Sequence, residues 1–234
     1  MLVSIDTSNG KITLFNISRD SMVDVTMYSA GGAYAGTEKQ QICLSYSYGD
    51  GKESSCENTV NSVQRLFYNI PINTYFSLDL DGISALNDSV GGVDVVSPET
   101  IGEFVEGESY HLVGQQAESF VRTRDTSKTD SNNMRMQRQK VYIQSFMNTV
   151  LQQTKKDLTT PIDLFNASAP YSCTNLNPSK VSYLAQQAVL GGMNGIDMVS
   201  VPGQVAMGSK YAEFNVSEAE FYQLFLSIYY TKIE

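Results

Sequence analysis

The residues best placed to do chemistry in this chain are arginines. Val121-Arg122-Thr123-Arg124 is followed by a polar loop and then by Met134-Arg135-Met136-Gln137-Arg138-Gln139-Lys140. The chain carries a net charge of -9, yet six of its 16 Lys and Arg (Arg122, Arg124, Lys128, Arg135, Arg138 and Lys140) fall in this stretch. Clustering of one sign against the average charge points to a local anion site rather than a generally basic surface. Read as the end of a strand, Phe120-Val121 leads into Arg122 and Arg124, two apart and therefore on one side of an extended segment. From Met134 the apolar residues Ile143, Phe146, Met147, Val150 and Leu151 recur at helical spacing. Arg135, Arg138 and Gln139 are then neighbours near the start of that helix, where the backbone itself favours anions. Guanidinium forks match phosphate oxygens, so two strand arginines and two helix arginines could meet one multiply charged group. The competing reading is a solvated strand–loop–helix corner with surface arginines.

Other chemistries find little support. GxxxxGK[ST], GxGxxG opening a helix, GxSxG and HExxH are all missing from the sequence. His111 is the lone histidine, and a single His without a Ser, Cys or Asp constellation is more often structural or solvated than catalytic. Cys43, Cys56 and Cys173 are odd in number and form no CxxC. That argues against zinc and against a full disulfide framework; free buried thiols are the expected state, with Cys43–Cys56 the pair best suited to oxidation. The acidic balance disfavours nucleic acid as a partner. No apolar run is long enough for a membrane span, and no signal-peptide pattern opens the chain. What is left is phosphate chemistry by positioning and electrostatic stabilisation.

The elements that must position these residues alternate. Asn9-Gly10 predicts a hairpin between Met1–Ile5 and Lys11–Ile17. Residues 27–40, rich in Gly, Ala, Ser and Thr, read as a loop or flap. A helix is expected from Ser54 or Ser55 to about Tyr68, with Val60, Val63, Leu66 and Phe67 buried. Strand, helix and strand follow at Ile72–Leu78, Ile83–Val90 and Val93–Val96, with Gly91-Gly92 between the last two. Pro161–Leu164 is a strand candidate, Asn177-Pro178 a helix start, Gly191-Gly192 that helix's end and Ile196–Val201 a late strand. Ser217-Glu218-Ala219-Glu220 reads as a capping box for a final helix. The pattern predicts an α/β fold: a mixed central β-sheet flanked by helices on both faces, in one layered domain over residues 1–234.

Five motifs then occur in order: Ser18-Arg19-Asp20-Ser21, Ser45-Tyr46-Ser47-Tyr48-Gly49, Val90-Gly91-Gly92-Val93-Asp94-Val95, Val121-Arg122-Thr123-Arg124 and Arg135-Met136-Gln137-Arg138-Gln139. Together they resemble the LytR–CpsA–Psr family of bacterial cell-wall proteins, over nearly the whole chain. The resemblance implies a phosphotransferase that moves a glycopolymer, such as teichoic acid or capsule, from a polyprenyl pyrophosphate carrier to peptidoglycan. It implies magnesium, an apolar pocket for the lipid tail, and a catalytic domain on the outer face of the cytoplasmic membrane, tethered by an N-terminal helix. It assigns pyrophosphate binding to Arg19, Arg122, Arg124, Arg135, Arg138 and Gln139; Arg138 could equally serve a structural pairing. Catalytic roles fall on Arg19, Arg122 and, as the nearest acid to the helix arginine, Asp130.

The sequence departs from the family pattern at three places. Asn132 stands where an Asp is usual, Gln41 and Cys43 stand where a Lys and an Asn are common, and the two aspartates that serve the metal and the acceptor would precede Met1. A truncated start is therefore expected. The alternative function is a non-catalytic polyprenyl-phosphate-binding or regulatory module of the cell envelope. The pocket is expected between the helices near Val63–Phe67, Ile83–Val90 and Ile143–Leu151.

Overall fold

A computed structural model describes residues 1–125, 127, 131–190, 196–208 and 211–230. The chain opens with β1 (Leu2–Asp6) and β2 (Lys11–Asn16), antiparallel across the Asn9-Gly10 turn. Gly10 has φ +69°, and Asp6 holds the turn by accepting from Ser8 and Asn9. β2 is also the parallel partner of β9 (Ile196–Ser200), which makes a mixed three-stranded central sheet.

Alternation along β2 explains the layering. Ile12 and Leu14 point to one face, where they pack with Ile143, Met147 and Leu151 of α5 (Ser131–Lys156) and Ala188 of α7 (Pro178–Leu190). Phe15 points to the other. There it meets Phe67, just past α2 (Glu53–Leu66), and lies in one cluster with Phe221 and Phe225 of α8 (Glu218–Tyr229). The fold is therefore mixed α/β with helices on both faces of the sheet. The remaining strands pair two by two: β3 (Met22–Tyr28) with β4 (Tyr34–Gln41), β5 (Phe76–Leu78) with β8 (Ser172–Thr174), β6 (Val93–Val96) with β7 (Ser109–Leu112), and β10 (Gly203–Met207) with β11 (Ala212–Val216).

Several local expectations change. The predicted flap at 27–40 is largely the β3–β4 hairpin. β3 buries Val23 and Val25, but β4 lies mostly exposed and needs only backbone pairing, so its sequence lacks strand alternation. Pro161–Leu164 lies in α6 (Thr160–Ser168), where proline at the helix start is favourable rather than disruptive. Phe120-Val121 lies in α4 (Gln115–Arg122), not in a strand. Its buried Ala117, Phe120 and Val121 stand at the i, i+3, i+4 spacing of a helix. The β10–β11 hairpin has no counterpart in the sequence reading. α8 starts where the capping box predicts, but Ser217 makes no side-chain cap bond. Gly191-Gly192 lies outside the described residues. No helix among the described residues is long and apolar enough to cross a membrane.

Two glycines carry the chain from α3 to β6. Gly91 and Gly92 follow α3 (Gly82–Ser89) with φ of +77° and +92°. A Cβ on Gly92 would lie 2.5 Å from His111 Nε2 and 2.9 Å from the Leu112 carbonyl oxygen, so the close crossing onto β6 demands glycine.

Candidate functional site: an apolar pocket edged by arginines

A cavity of about 470 Å³ lies between α3, α4 and α5. Leu78 and Leu80 form one wall with Ile83 and Leu86 of α3. α5 supplies Arg135, Gln139, Tyr142, Ile143 and Phe146, and α4 supplies Val121 and Arg122. The α5 residues step by four, three, one and three, so they follow one face of the helix. That face is graded. Its cationic and amide groups stand at the N-terminal end and its aromatic and aliphatic groups further on, over roughly 16 Å of helix rise. Tyr142 adds little polarity, because its hydroxyl is turned to Asn87 Oδ1 at 3.2 Å and burial pushes its phenol well above the usual range.

The polar end gathers residues from distant parts of the chain. Arg122, the last residue of α4, donates to Glu118 Oε1 at 2.6 Å across one helical turn and keeps 61% of its side chain exposed. Arg135 is half-buried. Its guanidinium is pulled below its ordinary pKa by burial and then by the like charges of Arg124 and Arg19, with Asp20 acting the other way. Arg135 therefore feels the charges of both Arg124 and Arg19. Arg19 lies beside Asp20, 3.6 Å from its carboxylate, and approaches Cys43 Sγ at 3.8 Å. Guanidinium charges that act on one another this way favour an anion beside Arg135.

Arg138 belongs elsewhere. It is fully buried and does not line the cavity. Its Nε donates to the Phe120 carbonyl at 2.8 Å, one terminal nitrogen pairs with Glu99, and the other donates to the Thr123 carbonyl. Gln139 Nε2 donates to the Val121 carbonyl at 3.1 Å. The end of α4 leaves carbonyls without helical partners, and α5 side chains satisfy them. Arg138 thus braces two helices and stands off the cavity, the structural pairing rather than the pyrophosphate contact; Gln139 both braces α4 and lines the cavity. The Glu99 partnership spans 39 residues, and no local spacing announces it.

Val63–Phe67 is not a pocket wall. Val63, Leu66 and Phe67 pack into the core under β2 and β3. The Leu78–Leu80 wall was not foreseen. His111 pairs with Asp94 at 2.8 Å on the β6–β7 hairpin, away from the arginines. Asp130 and Lys128 lie outside the described residues. Among the described residues no three His, Cys, Asp or Glu are grouped to hold a metal ion.

Comparison with known proteins places this geometry. The model of the LytR_cpsA_psr family matches residues 1–226. The polyisoprenyl-teichoic acid–peptidoglycan teichoic acid transferase TagV of Bacillus subtilis is 30% identical over 139 residues, 55% of this chain and 32% of that protein. A transferase of the same description, TagU of Bacillus cereus, is 24% identical over 210 residues, 87% of this chain and 62% of that protein. The matches thus span from about a third to under two thirds of these relatives' own lengths. The crystal structure of B. subtilis TagV superposes with a TM-score of 0.72 at 22% identity, covering 98% of this chain and 88% of that one, a likeness of fold.

Proposed function

The chain belongs to the LytR–CpsA–Psr family, and from that premise we propose that it binds a polyprenyl pyrophosphate-linked glycopolymer and serves its transfer to peptidoglycan in the cell envelope. One observation carries the reading: the cavity is apolar along its length, and among the described residues its charged lining is Arg122 and Arg135, at one end. Such a shape suits a long apolar tail with a dianionic or trianionic head. Arg122 and Arg135 would clamp the pyrophosphate, with Arg19 and Arg124 adding positive potential. In the transfer, an acceptor sugar hydroxyl attacks the glycopolymer-bearing phosphorus and its proton passes to a carboxylate. The bond to the bridging oxygen breaks, and polyprenyl phosphate leaves. The arginines neutralise the charge that grows on that leaving group. Asp130 is the proposed proton acceptor. The relatives' names support teichoic acid as the class of cargo.

Isothermal titration with a short-chain polyprenyl pyrophosphate tests the clamp. A charge-assisted contact is worth about 1.5–3 kcal/mol, so Arg122→Ala and Arg135→Ala should each weaken binding roughly tenfold or more. Arg122→Lys should recover only part, because lysine keeps the charge and loses the fork. Arg65→Ala is the control: Arg65 is exposed on α2 and donates only to the Asp24 carbonyl. Equal affinities for wild type, Arg122→Ala and Arg65→Ala would remove the cluster as the binding site. A chain that binds but transfers nothing to peptidoglycan with magnesium supplied would instead be a binding module.

A further inference from the structure

The three cysteines are not equivalent. Cys43, beside Arg19, is the one near the site. Cys56 is buried in the first turns of α2, and Cys173 is the middle residue of β8, half-buried. α2 packs on β8, and Cys173 is near enough to Cys56 to push its thiol up, after the effect of burial. Ser77, opposite Cys173 in the β5–β8 ladder, acts on the same Cys56 thiol in the opposite direction. The sequence favoured Cys43 as the partner of Cys56, but the fold turns Cys56 to Cys173.

We propose that Cys56 and Cys173 are a redox pair that closes to a disulfide, stapling α2 to β8 and, through β5, fixing the Leu78 wall of the pocket. β5 and β8 are three-residue strands that pair only with each other, an arrangement with little stability of its own. Leu78 sits in that ladder opposite Ser172 and also lines the cavity, so a covalent tie one residue away holds the wall in place. The oxidant is a disulfide, small or protein-borne. The Cys173 thiolate attacks one sulfur of RS–SR, forms a mixed disulfide and releases RS⁻. Cys56 then gives up its proton and attacks the Cys173 sulfur, forming the internal bond and expelling a second RS⁻. Two protein thiols are oxidised and one RS–SR is reduced to two RSH. Burial pushes the Cys56 thiol up to about 11, so the second step is slow at neutral pH and faster in mild alkali. An envelope location would supply the oxidising surroundings, but the chemistry is testable on the isolated chain without it.

The test equilibrates the purified full chain with excess oxidised glutathione at pH 8.5, quenches with acid, alkylates and maps peptides by mass spectrometry. The expected result is a peptide pair joined through Cys56 and Cys173, with Cys43 alkylated. The linkage closes a loop of about 120 residues, so the oxidised chain should melt on the order of 5–10 °C above the reduced one. Cys173→Ser should abolish both the linkage and the redox-dependent shift, while Cys43→Ser keeps both. If Cys56→Ser fails to fold, Cys173→Ser and Cys173→Ala carry the test. A linkage through Cys43, a linkage only between chains, or three alkylated thiols after equilibration would overturn the proposal. None of these outcomes bears on pyrophosphate binding, which is read separately by titration.

Discussion

Arg138→Met separates a brace from a ligand. Arg138 is fully buried, and Glu99 is only 8% exposed. The guanidinium answers that carboxylate and two carbonyls, those of Phe120 and Thr123. Methionine fills much of the volume but leaves Glu99 buried without its counter-charge. Removing one partner of a buried ion pair costs about 3–5 kcal/mol. In a chain of this size each kcal/mol lowers the melting temperature by roughly 2–4 °C, so a loss of about 10 °C is expected. Glu99→Gln should cost a similar amount, because it strands the arginine instead. The double change Arg138→Met/Glu99→Leu removes both charges and should be less damaging than the sum of its parts, with a coupling of about 2 kcal/mol or more. Urea unfolding followed by circular dichroism, with a thermal melt beside it, measures all four corners. Pyrophosphate titration well below the melting range completes the experiment. An Arg138→Met chain that unfolds like wild type but no longer binds pyrophosphate would refute the reasoning, since it would make Arg138 an anion ligand after all.

Three further outcomes follow from the same geometry. Leu86→Trp should fill the cavity and weaken a polyprenyl pyrophosphate far more than inorganic pyrophosphate, as titration of both ligands would report; equal losses would mean that the tail binds elsewhere. Gly92→Ala should destabilise by about 1–3 kcal/mol in urea unfolding, because it meets both a positive φ and contact with His111 and Leu112; an unchanged midpoint would contradict the crossing described here. In reduced protein, the Cys56 thiol is raised from an ordinary value near 9 to about 11 in the folded state, so its stabilising effect is complete below pH 9 and is lost as pH rises toward 11. Cys56→Ser should flatten that part of the stability–pH profile, and a profile identical to wild type would locate the alkaline loss in other groups.

Much of the frame was legible in the chain itself. Asn9-Gly10 between two β-prone runs specified the β1–β2 hairpin, and the apolar repeat from Ile143 to Leu151 specified α5. Where the reading failed, a tertiary contact outweighed a local pattern. β4 is mostly exposed and carries no alternation, so only its pairing with β3 makes it a strand. The arginine pair at 122 and 124 suggested an extended segment because the charges drew the eye to two-residue spacing. The apolar residues at 117, 120 and 121, with Glu118 one turn before Arg122, already described a helix.

The helical angle separates the α5 residues that sequence spacing alone groups together. Each residue turns the helix by about 100°. Taking Arg135 as the origin, Gln139, Tyr142, Ile143 and Phe146 all fall within an arc from about -20° to +80°, and all five line the cavity. Arg138 falls at about -60°, outside that arc on the side that faces the end of α4. Three residues grouped by spacings of three and four thus divide into two tasks. Arg135 lines the pocket with its charge, Arg138 spends its charge inside the protein, and Gln139, at about +40°, lines the cavity while donating to the Val121 carbonyl. The same division explains why an acidic chain carries so many arginines in one stretch: a cation can be held at the cavity's mouth only if the helices bearing it are fixed, and a second buried arginine does the fixing.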